Sequence, residues 1–176
     1  MFKLNPEQEN EIILRAAEAM CVAARTAPKA CGIDNIVTAI ITGEEKDTLI
    51  AEMERFSVKV EAAFIQRDAN NLKAADACVL IGTKLQRLGI PGCDFCGFAG
   101  CAENKAAGSR CAYNINDLGI AAGSAVALAA DMRVDSRIMY SVGTCAIRLK
   151  LLGNDVALAW GIPLSIKGKS PFFDRK

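Results

Sequence analysis

Histidine is absent from this sequence of 176 residues. The absence excludes zinc sites that mix cysteine with histidine, and it excludes catalytic triads and general bases built on an imidazole. It also excludes Rieske-type clusters, in which histidines bind one of the irons. Any proton transfer must therefore use Asp, Glu, Lys, Tyr or Cys side chains, or a cofactor.

An excess of charge is absent too. Lys and Arg number 21, and Asp and Glu number 20, so the formal net charge is +1. This balance creates no positive field that would attract nucleic acid or an anionic membrane surface. We therefore expect neither nucleic acid nor a membrane as a partner.

Long apolar segments are missing as well. The longest uncharged apolar run, Leu118 to Ala130, is shorter than the ~20 residues of a transmembrane helix. The N-terminus carries polar and acidic residues where a secretory signal has its apolar core. With 52% hydrophobic and 23% charged residues, we expect residues 1–176 to form one cytoplasmic domain.

No complete phosphate-binding motif is present either. The segment GTKLQRLG lacks the glycine pattern of a dinucleotide fingerprint, so a Rossmann-type nicotinamide site is not expected. Four cations of the C-terminal tail could hold a phosphate, but a solvated charged terminus is the expected interpretation. These cations are Lys167, Lys169, Arg175 and Lys176.

Cysteine, by contrast, is abundant, with eight in the chain. Four lie in the stretch GCDFCGFAGCAENKAAGSRC, residues 92–111, with the spacing C-x2-C-x4-C-x9-C. In a reducing cytoplasm, clustered thiols indicate a metal site rather than disulfides. The candidate ligands are Cys93, Cys96, Cys101 and Cys111.

Two kinds of centre suit four thiolates. A 4Fe-4S cluster tolerates uneven gaps because each cysteine binds a different iron, and the glycines of the stretch let backbone N–H groups approach the cluster. Cys111 stands at the predicted start of a long helix, whose positive end favours a negative cluster. Ile90, Phe95 and Phe98 could shield the cluster from water. A four-cysteine zinc site is the alternative, although zinc ribbons more often use two C-x2-C pairs.

The other cysteines are expected to serve mainly in packing. Cys21, Cys78 and Cys145 fall in predicted helices or strands, where a free thiol behaves as a small hydrophobic group. Cys31 falls in a predicted loop, and it is the one cysteine of this set that we suspect of facing a pocket.

Helix and strand signals alternate along the chain, which favours a layered α/β domain. Asn5, Pro6 and Gln8 predict a capping box at the start of the first helix. The two earlier strands are continuously apolar, as strands covered on both faces are, and Pro163 is expected to stop the last one. Helices are predicted near 6–25, 44–56, 60–75, 112–132 and 142–153, and strands near 35–42, 76–83 and 155–165.

Small residues recur every four positions along the fourth predicted helix. They are Gly119, Gly123 and Ala127. Because each glycine costs a helix up to about 1 kcal/mol, this face indicates the close approach of another helix.

The cysteine stretch, the segment AYNINDLGIAAGSAV that follows it and the final GKSPFFDR together resemble a family of uncharacterised prokaryotic proteins described as ferredoxin domain-containing. The resemblance extends over nearly the full chain. It implies a 4Fe-4S cluster and no particular reaction.

A more distant resemblance is to nitroreductase-like flavoproteins. The segment EAMCVAARTAPKACGIDNIVTAIITGEEKDTLIAEM is similar to their opening, with matches at Ala24, Arg25, Ala27 and Pro28, and a Gly-x-Pro turn near their end is matched by Gly161 and Pro163. This resemblance implies an α+β fold, with layers of helices around a mainly antiparallel sheet and the four-cysteine loop inserted. It also implies a homodimer built on the long helix, and it raises FMN as a second cofactor.

Two departures from the flavoproteins concern the FMN. The flavoproteins usually begin with an Arg-Arg-Ser segment that binds the FMN phosphate, whereas in this chain no arginine precedes Arg15. Lys29 stands where they usually have Ser. For this reason we predict no individual flavin contact and no catalytic residue.

The sequence therefore supports two classes of function. The first is an iron-sulfur redox protein, either an electron-transfer module or, with FMN, an oxidoreductase of nitroreductase type, serving a redox partner protein or a small-molecule electron acceptor. The alternative is a regulatory or binding protein without catalytic activity, in which zinc or a cluster has a structural or sensory role.

Overall fold

The computed structural model describes residues 3–173. Its helices are α1 (Pro6–Thr26), α2 (Gly43–Lys59), α3 (Ala63–Ala74), α4 (Cys101–Ala106), α5 (Ala112–Asp131) and α6 (Tyr140–Arg148). Its strands are β1 (Ile36–Ile41), β2 (Ala77–Lys84), β3 (Asp135–Ser136) and β4 (Val156–Ser165). A single 3-10 turn, Ala30–Gly32, joins α1 to β1.

The four strands form one sheet in the order β1-β2-β4-β3, and every neighbouring pair is antiparallel. β2 lies inside the sheet, and all its residues except the last are buried. β1 is an edge strand whose four middle residues are half-buried. As predicted, side chains of β1 pack on both faces of the sheet, with Ile36 and Ile40 in one core and Val37 and Ile41 in the other. The middle residues are only half-buried because an edge strand lacks a neighbour on one side.

Helices cover the two faces of the sheet. On one face α1 and α5 pack over a core that includes Met20, Leu118 and Ile81. On the other, α2, α3 and α6 pack over a core that includes Met53 and Leu80. Leu80 and Ile81 are neighbours in β2 and point to opposite faces, as the two-residue repeat of a strand requires. Burial of one such side chain contributes about 1.5–3 kcal/mol.

The start of α1 is as predicted. The Asn5 side chain accepts a hydrogen bond from the backbone N–H of Gln8 at 2.9 Å, and the Gln8 side chain accepts one from the N–H of Asn5 at 3.1 Å. Pro6 occupies the first helical position, where its missing N–H removes no hydrogen bond.

The end of α6 differs from the prediction. The helix ends at Arg148, five residues before Gly153. The Leu151 N–H donates to the Ala146 carbonyl and the Lys150 N–H to that of Ile147, and Lys150 has a φ of 58°. These two bonds form a Schellman motif. The motif was missed because its left-handed position, which glycine usually occupies, holds a lysine here.

Pro163 does not stop β4, as had been expected, but lies inside it opposite Cys78 of β2. The backbone N–H groups of a strand alternate in direction. Because the Gly161 N–H donates to Met139 on the β3 side, the Pro163 nitrogen also faces that side. β3 pairs only with Leu164 and Ser165, so the proline removes no bond from the ladder.

The small-residue face of α5 is uncovered. The opposite side of the helix packs on α1, where the Ser124 hydroxyl donates to the Ala23 carbonyl at 3.0 Å. A methyl group added at Gly119 or Gly123 would meet nothing within 4 Å. Within residues 3–173, the approach that the small residues predict is therefore not made by a helix of the same chain.

Candidate metal centre

The cysteine stretch follows β2 and leads into α5. It consists of turns and one short helix, α4, which begins at Cys101. Gly92 and Gly97 have φ values of 70° and 81°, which a side chain would disfavour, as expected for a tightly folded loop. The Gly97 N–H donates to the Asp94 carbonyl at 2.7 Å. This turn folds the backbone between Cys93 and Cys101 back on itself.

All four predicted ligands border one cavity. Cys93, Cys96, Cys101 and Cys111 are each half-buried, and each lines the same small pocket. Cys111 is the residue before the first turn of α5, as the sequence predicted. The fold thus brings together cysteines that are up to 18 positions apart in the sequence.

The thiols do not form a compact single-ion site. Among residues 3–173, no three Cys, Asp or Glu side chains are close enough to hold one metal ion. A four-cysteine zinc site and a 4Fe-4S cluster both take four thiolates, and in the cluster each thiolate binds its own iron. The donor set, four cysteines around one cavity, is compatible with either centre.

Aromatic rings form part of the cavity wall. Phe95 borders the cavity as predicted, and its ring lies 5.2 Å from that of Tyr113, which also borders it. Ile90 and Phe98, the other two residues predicted to shield the centre, are not among the residues that line the cavity. Tyr113 was missed, although its position two residues after the last cysteine places it in the first turn of α5.

Two polar residues of the wall were also missed. The Arg87 Nε donates to the Asn104 side-chain oxygen at 2.7 Å, and the Asn104 amide donates to the Arg110 carbonyl at 3.0 Å. Asn104 is 1% exposed. Arg87 lies in GTKLQRLG, and no local sequence pattern predicts its contact with Asn104.

A second buried amide joins α5 to the start of the loop. The Asn114 side-chain oxygen accepts from the Gln86 N–H at 3.0 Å, and Asn114 is 1% exposed. Its amide nitrogen has no partner within the part of the chain that the structure describes. The contact fixes the path of the backbone just before Arg87.

The remaining cysteines behave largely as predicted. Cys78 and Cys145 are fully buried, and loss of water contact raises the pKa of Cys78 to about 12 and that of Cys145 to about 11. Cys21 packs against the core, and burial raises its pKa as well. Cys31 is exposed on the 3-10 turn, so the suspicion that it faces a pocket has no support in the described chain.

A larger cleft of about 860 Å³ lies beside the start of α1. Its cations are Lys46, Lys73 and Lys167, and its acids are Glu7, Glu9 and Asp76. All three amines are engaged: Lys46 with the Ala75 carbonyl, Lys73 with Glu54 and Lys167 with the Ala74 carbonyl. Of the tail cations considered for a phosphate, Arg175 and Lys176 lie outside the described residues.

Comparison with known proteins supplies the family. An "Uncharacterized protein" of Archaeoglobus fulgidus is 42% identical over 175 residues, which cover 95% of this chain and 94% of that protein. Residues 107–175 match the model of a family described as "Uncharacterized protein containing a ferredoxin domain (DUF2148)". The chain belongs to this ferredoxin-domain family. The matched segment of this ferredoxin-domain protein includes Cys111 and begins after the other three candidate ligands.

Solved structures supply the fold. Nitroreductase CinD from Lactococcus lactis, in complex with nicotinic acid, has a TM-score of 0.63 at 16% identity, over 96% of this chain and 82% of that one. A provisionally named nitroreductase in complex with FMN, from Desulfovibrio desulfuricans, has a TM-score of 0.62 at 11% identity, over 99% and 93% of the two chains. The ferredoxin-domain protein therefore has the predicted nitroreductase-like α+β fold.

Within residues 3–173, no helix combines the length and the apolar character that crossing a membrane requires.

Proposed function

We propose that this ferredoxin-domain protein is an iron-sulfur redox protein in which Cys93, Cys96, Cys101 and Cys111 bind a 4Fe-4S cluster. The observation that carries the proposal is the one small cavity that all four cysteines border. The family description, with its ferredoxin domain, supports it. When bound, such a cluster supplies one-electron transfer.

The residues around the cavity would determine how the cluster is held. Phe95 and Tyr113 cover part of it with aromatic surface, which limits the access of water. Cys111 precedes the first turn of α5, a helix of 20 residues, whose unpaired N–H groups favour negative charge at that end. Burial and backbone N–H groups are the features that set the potential of such centres.

The iron and sulfide content of the purified protein tests this proposal. Purified without oxygen, the protein should contain about four iron and four sulfide ions per chain. A Cys31→Ser variant should contain the same amounts, because Cys31 is exposed and outside the cavity. One zinc ion per chain without sulfide would contradict the proposal and favour the alternative, a zinc-stabilised regulatory or binding protein.

A flavin-linked oxidoreductase is the second candidate, favoured by the nitroreductase-like fold and by the cleft beside α1, which is large enough for a nucleotide. The cleft residues fit an FMN phosphate poorly, because the three lysines already have partners and three carboxylates line the same cleft. We therefore assign no step to a flavin. Flavin absorbance and fluorescence in freshly purified protein would support this candidate; their absence would leave an electron-transfer module.

A second copy of the chain is the proposed structural partner. The uncovered face of α5 combines the open positions Gly119 and Gly123 with Ile115 and Ile120, which are 46% and 39% exposed. The nitroreductase resemblance implies a dimer on this helix. The proposed electron partners are a redox protein or a small-molecule acceptor.

A further inference from the structure

Within the described residues 3–173, the guanidinium group of Arg87 has only neutral partners. Its Nε donates to the Asn104 side-chain oxygen at 2.7 Å, and a terminal nitrogen donates to the carbonyl of Ser109 at 2.6 Å. The same nitrogen lies 3.4 Å from the Asn104 carbonyl. Among residues 3–173, Arg87 forms no ion pair with a carboxylate. Its positive charge is therefore held in place without being neutralised.

Asn104 extends this contact to the last candidate ligand. Its side-chain amide donates to the Arg110 carbonyl, which belongs to the residue before Cys111. Its backbone carbonyl accepts from the Ser109 N–H at 3.0 Å. Arg87 precedes Cys93 in the sequence, and its acceptors lie between Cys101 and Cys111. One side chain thus joins the two ends of the ligand loop.

Arg87 and Asn104 border the same cavity as the four thiols. A cluster bound by four thiolates carries net negative charge, and reduction adds one more negative charge. A fixed cation at the edge of the cavity stabilises the reduced form more than the oxidised form, and partial exclusion of water strengthens the effect. The position of Arg87 therefore bears on the potential of the centre as well as on the shape of the loop.

We infer that Arg87 is a positioning residue that holds the two ends of the cysteine loop (residues 92–111) together and raises the reduction potential of the bound cluster. The inference rests on the proposed function, since it requires a cluster at the four cysteines. Its two parts are separable, because lysine keeps the charge of arginine and loses the planar fork that reaches two acceptors at once.

The experiment compares wild-type protein with Arg87→Gln, Arg87→Lys and Lys105→Gln, each loaded with iron and sulfide without oxygen. Lys105 is a matched control, because it is an exposed cation of the same loop that does not border the cavity. The readouts are the midpoint potential and the rate at which a chelator removes iron. Circular dichroism shows whether each variant is folded.

Arg87→Gln should favour the oxidised form at least tenfold, which for one electron lowers the potential by about 59 mV. Arg87→Lys and Lys105→Gln should change this equilibrium by less than about threefold, because the first keeps the charge and the second removes a charge screened by water. Both Arg87 variants should release iron several-fold faster than wild type, whereas Lys105→Gln should not.

The inference is overturned if Arg87→Gln matches Lys105→Gln in both potential and rate of iron release. Should a folded Arg87→Gln fail to load, loading of Arg87→Lys supports the charge effect, because the two variants lose the same fork. Equal failure of both overturns the charge effect and supports only the bracing of the loop. A wild-type protein without iron and sulfide would instead contradict the proposed function, and this is measured before any variant is compared.

Discussion

Cysteine side chains have opposite environments in two regions of the molecule. One region is the sheet with its covering helices, and the other is the cysteine loop, residues 92–111. In the core, Cys78 and Cys145 are fully buried, and loss of water contact raises the pKa of each thiol to about 12 and about 11. In the loop, four half-buried thiols surround one cavity next to the guanidinium of Arg87. The core therefore keeps its thiols protonated and inert, and the loop presents thiols that a metal centre can bind.

The backbone of the two regions differs in the same way. In the core, a methyl group added at Gly143 would lie 1.9 Å from the Ala159 carbonyl oxygen, so α6 packs directly on β4. In the loop, a methyl group added at Gly92 or Gly97 would meet nothing within 4 Å. Packing fixes the core, whereas turns, a few hydrogen bonds and, as proposed, a bound centre fix the loop.

The largest expected effect comes from exchanging one thiol in each region. Cys96→Ser should lose most of the bound iron while the protein stays folded, because Cys96 is a proposed ligand on the loop. Cys145→Ser should keep its iron and lose about 1–3 kcal/mol of stability, because it buries a hydroxyl in an apolar core. Iron analysis and urea unfolding of both variants measure the contrast. Equal iron loss in the two would remove the distinction between the regions.

The next largest effect is expected from replacing one glycine in the core and one on the open face of α5. Gly143→Ala should lower the free energy of unfolding by about 3 kcal/mol, because the new methyl group overlaps backbone atoms of β4. At concentrations where the chain is monomeric, Gly119→Ala, in the open face of α5, should raise it by up to about 1 kcal/mol, since alanine favours a helix. Denaturant unfolding measures both changes. Similar changes in the two variants would show that α6 does not pack as described.

The uncovered face of α5 should give a smaller effect, on association alone. Gly123→Leu places a bulky side chain in the proposed dimer contact and should raise the dimer dissociation constant at least tenfold, or about 1.4 kcal/mol. Sedimentation velocity over a range of concentrations measures this change. A comparison variant, Lys105→Gln, should dimerise like the wild type. A wild-type protein that remains monomeric at high concentration would contradict the dimer.

The smallest expected effect is a loss of stability in alkaline solution. The pKa of Cys78 is about 12 in the folded protein, whereas the ordinary value for a cysteine thiol is 9.0. Above about pH 9 the unfolded protein therefore loses the thiol proton while the folded protein keeps it. Stability should therefore be complete below pH 9 and fall above it, by about 1 kcal/mol at pH 10. Cys78→Ala should show a shallower decline in urea unfolding between pH 8 and 10. An identical decline in both proteins would contradict the burial of Cys78.

Features carried by neighbouring residues could be predicted from the sequence. The capping box of α1 needs only Asn5 and Gln8, and the spacing of the cysteines was enough to propose the four residues that border one cavity. The contact of Arg87 with Asn104 could not be predicted, because it joins residues 17 positions apart and depends on how the loop folds. The antiparallel register of β2 and β4 is a long-range property of the same kind.

Two errors arose where an unusual residue takes a common structural role. Lys150 ends α6 in the left-handed conformation that glycine usually supplies. Pro163 lies inside β4 because its nitrogen faces the β3 side, where β3 pairs with Leu164 and Ser165 and not with Pro163. In both cases the backbone environment, set by the rest of the fold, outweighs the preference of the residue.

Mössbauer spectroscopy of protein loaded with ⁵⁷Fe and kept free of oxygen tests the central claim most directly. The account predicts the spectrum of a four-iron cubane in the wild type, the same spectrum in Cys145→Ser, and its loss in Cys96→Ser. An iron spectrum from isolated ions, or a cubane that persists after Cys96 is replaced, would contradict the assignment of this centre to the cysteine loop.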